Sequence, residues 1–189
     1  MVLVGVLIAG GLGGCASDGG SSEGASESSP PPSPTPEATA SPAPKHVVVA
    51  PERPAALADD GPAGAKAAAV YFLQLDAHMQ ATGETTEWEA MSHSTCDYCK
   101  DRLEQAREIQ AGEYVWAGGE IDVDIRHIYT QDAATGIWPL DAMLTQSAAT
   151  VTADGDVISE ISRASALRRL EVARENGRWV FVEAGNIPR

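Results

Sequence analysis

Basic charge is scarce in this chain: 13 lysines and arginines stand against 27 aspartates and glutamates, a formal net charge of −14 at pH 7. Proteins bind a phosphate backbone through basic surfaces that release its counterions, so nucleic acid is not an expected partner. Beyond residue 60 there remain 20 acidic and 11 basic residues, a charge of −9 that accounts for solubility and supports no such role. Apolar runs of the roughly 20 residues that a membrane-crossing helix needs are missing. So are a Gly-rich phosphate loop, a G-x-S-x-G elbow and an H-E-x-x-H helix. No catalytic residue, metal site or cofactor is therefore assigned.

What is present begins with "MVLVGVLIAGGLGGC", residues 1–15, an apolar stretch too short to span a bilayer and ending in small residues. It reads as the apolar core of an export signal. Leu12, Gly13, Gly14 and Cys15 resemble the lipobox of bacterial lipoproteins. That resemblance implies that residues 1–14 are removed and that Cys15 becomes the acylated N-terminus. The protein is then expected on the extracytoplasmic face of the cell membrane, its partner there being the membrane itself through the lipid anchor. An ordinary signal peptide with a chance cysteine is the alternative. No Lys or Arg precedes the apolar core, which suggests a translation start further upstream.

Residues 15–60 are rich in Ser, Gly, Pro, Ala and Thr, and nine of the chain's 12 prolines fall between Pro30 and Pro54. Such a composition buries too little apolar surface to offset chain entropy, so a disordered tether is expected. At about 3.1 Å per residue in its extended form it reaches roughly 100 Å.

The folded domain is expected over residues 61–189. Pro62 suits a first helical turn and Gly83 a stop, and Ala68, Phe72, Leu75 and Met79 form one apolar stripe between them. Thr86 and Glu89 stand in capping-box spacing before a short second helix that buries Trp88 and Met91. A third helix, half exposed, is expected from Cys96 to Gln110. After Gly112 the period changes to two. Ile121, Val123, Ile125, His127 and Tyr129 share an inward face, with Asp122, Asp124 and Arg126 outward. "LDAMLTQSAATVTADGD" reads as a second strand ending in an Asp-Gly turn, and Asn176-Gly177 between two alternating runs predicts a type I′ hairpin.

This order predicts an α+β fold with three N-terminal helices packed on a curved antiparallel sheet. It resembles the cone-shaped fold of nuclear transport factor 2-like, or cystatin-like, proteins, in which a final hairpin often carries an N-G-x-W turn like "NGRW" here. More narrowly, Trp88, Ser92, Cys96 and Cys99 fit the W-x-x-x-S-x-x-x-C-x-x-C pattern of an uncharacterised actinobacterial lipoprotein family. The resemblance spans roughly residues 60 to 187, implies fold and export, and carries no activity.

In an exported protein a C-x-x-C pair defaults to a disulfide, and once Cys15 is acylated Cys96 and Cys99 have only each other. Two alternatives stand beside it. Thiols at a helix N-terminus have the lowered pKa of a dithiol oxidoreductase, although the βαβ pattern of such enzymes is missing. His93, Cys96 and Cys99 could ligate a metal, although a structural zinc site wants a fourth ligand.

Tyr71 and His78 on the first helix, with His127 and Tyr129 on the first long strand, could line one pocket; the reading preferred over it is amphipathic side chains closing the open end of a core with polar tips. Asp76 and Asp124 are acidic candidates for a general base, each read more simply as solvated, since Asp76 lies off the apolar stripe and Asp124 alternates outward. Arg163, Arg168, Arg169, Arg174 and Arg178 could meet an anionic envelope polymer or simply decorate two sheet faces. The expected function is a tethered binding or interaction module for a small molecule or a cell-envelope partner. A small isomerase or dehydratase and a thiol oxidoreductase are the alternatives.

Overall fold

A computed structural model describes residues 48–187. Its helices are α1 (Pro62–Thr82), α2 (Thr86–Met91) and α3 (Asp97–Ala111). The strands are β1 (Val115–Gly118), β2 (Ile121–Ile128), β3 (Trp138–Gln146), β4 (Ala149–Ala153), β5 (Asp156–Ile161), β6 (Ala164–Glu175) and β7 (Arg178–Gly185).

Helix α1 uses the expected signals. Pro62 opens it where a missing N–H costs nothing, and Gly83 closes it at φ 75°, its N–H bonding the Met79 carbonyl at 2.9 Å. The stripe Ala68, Phe72, Leu75 and Met79 is buried, and burial spreads to Ala65, Ala69, Leu73 and Asp76. The cause is that α1 meets strands of both sheets as well as α2 and α3. For α2 the expected capping box does not form: Thr86 lies inside the helix, Thr85 precedes it without a side-chain cap, and Glu89 turns instead to Arg107 at 3.1 Å.

The expectation of three helices on one curved antiparallel sheet is overturned. Among the described residues seven strands dominate, and they form two antiparallel sheets, ordered β1-β4-β5 and β2-β3-β6-β7. Among the described residues α1 runs across both; α2 and α3 lie beside it and reach the four-stranded sheet chiefly at β7, and Ile109 of α3 also packs under the three-stranded sheet. The stretch read as one strand is cut at Ser147–Ala148. There Ser147 N–H bonds the Glu120 carbonyl at 2.9 Å, while Gly119 N–H reaches the Ala148 carbonyl at 3.2 Å. Gly118 faces the same break at φ 84°, and a Cβ on it would lie 2.2 Å from the Ala148 oxygen. Only glycine tolerates that approach, so the backbone turns here and β4 pairs with β1 while β3 pairs with β2.

The hairpin turns form as their residues require. Asn176 and Gly177 take φ 50° and 78°, and Asp154 and Gly155 take φ 53° and 91°, the positive-φ pairs of type I′ turns. The main core joins α1, α2 and α3 to the four-stranded sheet. Its centre is Phe72, stacked on Trp88 at 4.0 Å and on Phe181 at 4.4 Å between ring centroids. A smaller cluster of Ile109, Trp116, Ala149 and Val151 fills the space under the three-stranded sheet.

Ordered packing starts before residue 61. Ala55–Ala58 is a 3-10 helix with Leu57 buried against the main core, Trp179 Nε1 donates to the Asp59 carbonyl at 3.2 Å, and Arg174 pairs with Asp60 at 2.8 Å. The expected tether boundary at residue 60 thus falls within a packed segment, held by Leu57 and by contacts to residues distant in the chain that composition does not reveal. No described helix is long and apolar enough to cross a membrane.

Candidate functional site

The four residues that are candidates for one pocket separate into two pairs. Tyr71 and His78, two turns apart on α1, do line a cavity of about 270 Å³ together with Arg53, Leu75, Glu87 and Trp88. Its floor is apolar, from Leu75 and Trp88. Its wall is a charged clasp: Arg53, from the segment leading into the domain, forms an ion pair with Glu87 of α2 and lies 5.9 Å from the centre of the Tyr71 ring. His78 Nδ1 is 3.2 Å from the Val48 carbonyl, so the same segment is fastened at two points. Burial, and next the Glu87 charge, raise the Tyr71 phenol above its ordinary value, with Arg53 opposing them. The phenol stays neutral and can donate a hydrogen bond. With Glu87 and Arg53 engaged by each other, the cavity offers the Tyr71 phenol, the His78 imidazole and the Glu84 carboxylate around an apolar floor, a set suited to orienting a ligand.

His127 and Tyr129 do not join them. The pairing of β2 with β3 shifts between Ile125 and His127, a bulge that ends the simple alternation. Ile128 packs on the core instead, and His127 and Tyr129 are exposed with their rings edge-on at 4.3 Å. On that outer face Tyr129 donates to Asp141 at 2.8 Å, Arg169 Nε donates to Asp141 at 2.6 Å, and the Arg169 guanidinium lies 4.5 Å over the Tyr129 ring. The Arg169 hydrogen bond holds the Asp141 carboxyl below the usual carboxylate range. Asp141 is an ionised acceptor there, poorly suited to take a proton.

Cys96 and Cys99 form a disulfide. Cys96 is the N-cap of α3, its Sγ accepting from Cys99 N–H at 3.1 Å, and both residues are buried. The metal alternative fails on geometry: the sulfurs are bonded to each other, and His93 turns Nδ1 to Thr95 at 2.7 Å and Nε2 to Glu175 at 3.0 Å. The oxidoreductase alternative lacks an exposed sulfur for a substrate to attack. The four residues of the W-x-x-x-S-x-x-x-C-x-x-C pattern prove to be wired together. Trp88 Nε1 donates to the Cys99 carbonyl at 3.1 Å, Ser92 Oγ to the Trp88 carbonyl at 2.7 Å, and the disulfide closes the corner. Among the described residues no group of His, Cys, Asp and Glu is placed to hold a metal ion.

One charged pair escaped sequence reasoning. Asp76, expected to be solvated, is fully buried and takes a two-point hydrogen bond from Arg102 of α3, Nε to Oδ1 at 2.7 Å and Nη2 to Oδ2. Burial alone would lower the Arg102 guanidinium; the Asp76 hydrogen bond and charge outweigh it and hold it above its ordinary value. Arg102 also lies 5.8 Å from the centre of the Trp116 ring and so links the two cores. The i, i+4 partner Gln80, which donates to the Arg102 carbonyl at 2.9 Å, is the one local hint of a polar seam. Cys15, the expected site of lipidation, and residues 1–47 lie outside the described residues.

The sequence profile of a Family of unknown function (DUF6318) matches residues 36–185. No curated protein matches the sequence. Among solved structures, the intermembrane space region of the chloroplast protein ARC6 is similar at 13% identity and a TM-score of 0.49, over 64% of this chain and 92% of that one. A protein designated Rd1NTF2_05 is similar at 8% identity and a TM-score of 0.37, over 61% of this chain and 90% of that one. Neither likeness is close enough to carry a functional argument.

Proposed function

Since the chain belongs to the DUF6318 family, a family of unknown function, we propose its role from its own chemistry: a lipid-anchored binding module of the bacterial cell envelope. The observation that carries the binding part is the cavity at Arg53, Tyr71, His78, Glu87 and Trp88, which presents hydrogen-bonding groups over an apolar floor. Acid-base turnover needs a base within reach of substrate and a donor for the developing charge. Glu87 is spent on Arg53, His78 faces a backbone carbonyl and the other lining carboxylate, Glu84, is exposed to solvent, so the cavity is better equipped to hold a molecule than to convert it.

The tethered location rests on the lipobox-like Leu12 to Cys15 and the Pro-rich stretch after it. The buried Cys96–Cys99 disulfide agrees with an oxidising compartment. A module on such a tether samples the space near the membrane while its domain stays clear of the lipid. Cys15→Ala is expected to move the protein from the membrane fraction to the medium, or to leave it unprocessed, as read by fractionation and intact mass. A variant that fractionates and is processed like the wild type overturns the anchor.

A further inference from the structure

Strand β6 carries an arginine where the fold calls for an aliphatic side chain. Along β6 the residues Ala166, Arg168 and Leu170 alternate onto one face, and their partners on β3 are Leu144, Ala142 and Leu140. Ala142, Leu140 and Leu170 are fully buried, so this is the face that α1 covers. The next residue, Arg169, points the other way and is neutralised by Asp141 at 2.6 Å. Arg168 has no carboxylate among the described residues: its Nη1 donates to Asn186 Oδ1 at 2.9 Å and to its neighbour's carbonyl at 3.5 Å, and Nε and Nη2 have no partner there. Arg168 is half-buried, its stem on the inner face and its guanidinium near the surface, and a guanidinium left to an amide in a chain with 27 acidic residues is a cation held available.

It is available to a cavity. Tyr98, Ile121, Leu144, Gln146, Ala166 and Arg168 line a space of about 200 Å³ between the start of α3 and the end of the four-stranded sheet. Most of that lining is apolar. The Tyr98 hydroxyl makes no hydrogen bond to the described residues, although its ring packs on Trp88 and Phe181 at 6.2 Å each. Burial first, then the charge of Asp76, raises the Tyr98 phenol, which keeps it a neutral donor.

We propose that this cavity binds a small monocarboxylate with an apolar body, its carboxylate on Arg168 and its body against Ile121, Leu144 and Ala166. A guanidinium offers a carboxylate two parallel N–H donors. A phosphate dianion would want more positive charge than one arginine supplies. The volume lies below the roughly 300–1,000 Å³ usual for drug-sized ligands, which favours a body of about octanoate's size. The site is separate from the Tyr71 cavity and stands whether or not that cavity is occupied.

The test is calorimetric or NMR titration of the folded protein with octanoate, 1-octanol and inorganic phosphate as probes. Octanoate is expected to bind at least tenfold more tightly than 1-octanol, and phosphate weakly or not at all. Arg168→Gln should weaken octanoate tenfold or more and leave 1-octanol unchanged, and Tyr98→Phe should cost about fivefold, the worth of one hydrogen bond. Ala166→Leu, which fills the apolar half and keeps the arginine, should weaken both alcohol and acid. No octanoate binding at millimolar concentration, equal affinity for acid and alcohol, phosphate binding as tight as octanoate, or wild-type octanoate affinity in folded Arg168→Gln would each overturn the proposal.

Discussion

Asp76→Ala is expected to destabilise the domain by about 3–5 kcal/mol, the usual consequence of leaving one member of a buried ion pair without its partner. Asp76 accepts two Arg102 donors in the fork geometry, one on each oxygen, and no solvent reaches the carboxylate. The variant would leave the partly buried Arg102 guanidinium beside Trp116 without its carboxylate, with Gln105 as its remaining side-chain partner. Replacing both partners with apolar residues, Asp76→Leu with Arg102→Met, removes the stranded charge and should recover most of the loss. Chemical denaturation of the wild type and the two variants reads this directly. A loss below about 1 kcal/mol for the single variant would place Asp76 among ordinary surface residues.

Trp88→Ala is expected to cost a comparable amount, about 3–5 kcal/mol, for a different reason. Its indole is almost completely buried, stacks on Phe72 at 4.0 Å and donates to the Cys99 carbonyl at 3.1 Å. Deletion leaves a cavity at the centre of the main core and releases the corner that the Cys96–Cys99 disulfide closes. That disulfide contributes only about 2 kcal/mol by loop-closure entropy, because its loop is short. The stack therefore matters more than the staple. Trp88→Phe keeps an aromatic partner for Phe72 and loses the N–H, so its loss should lie nearer to about 1–2 kcal/mol; equal losses for Phe and Ala would show that the hydrogen bond, and not the stack, dominates.

Features governed by neighbours along the chain are legible in the sequence itself. Pro62 and Gly83 bound α1, Asn176-Gly177 turns the last hairpin, and Cys96 and Cys99 pair at the head of α3. What escapes a reading of the sequence depends on residues distant in the chain. Asp76 reads as solvated because it lies off the stripe of its own helix, and only Arg102, 26 positions away, explains its burial. The division into two sheets depends on Gly118 facing Ala148, contacts between strands whose pairing no single-strand pattern states. The bulge after Ile125 moves His127 and Tyr129 to the outer face, since one extra residue reverses every side chain that follows it. Tyr71 and His78 therefore share a cavity from which the two strand residues are absent, and Arg53, which completes that cavity, lies in a stretch whose composition reads as tether.

Whether the domain holds a ligand without converting it is tested most directly by native mass spectrometry of the full chain purified from its own cell envelope, followed by denaturing analysis of what is released. The expected result is a retained small molecule in the wild type that is released chemically unchanged from a fresh incubation, and that is lost or weakened in Tyr71→Ala or Arg168→Gln. A chain that carries no adduct, or a wild type that returns a converted product while His78→Ala returns the molecule intact, would contradict it.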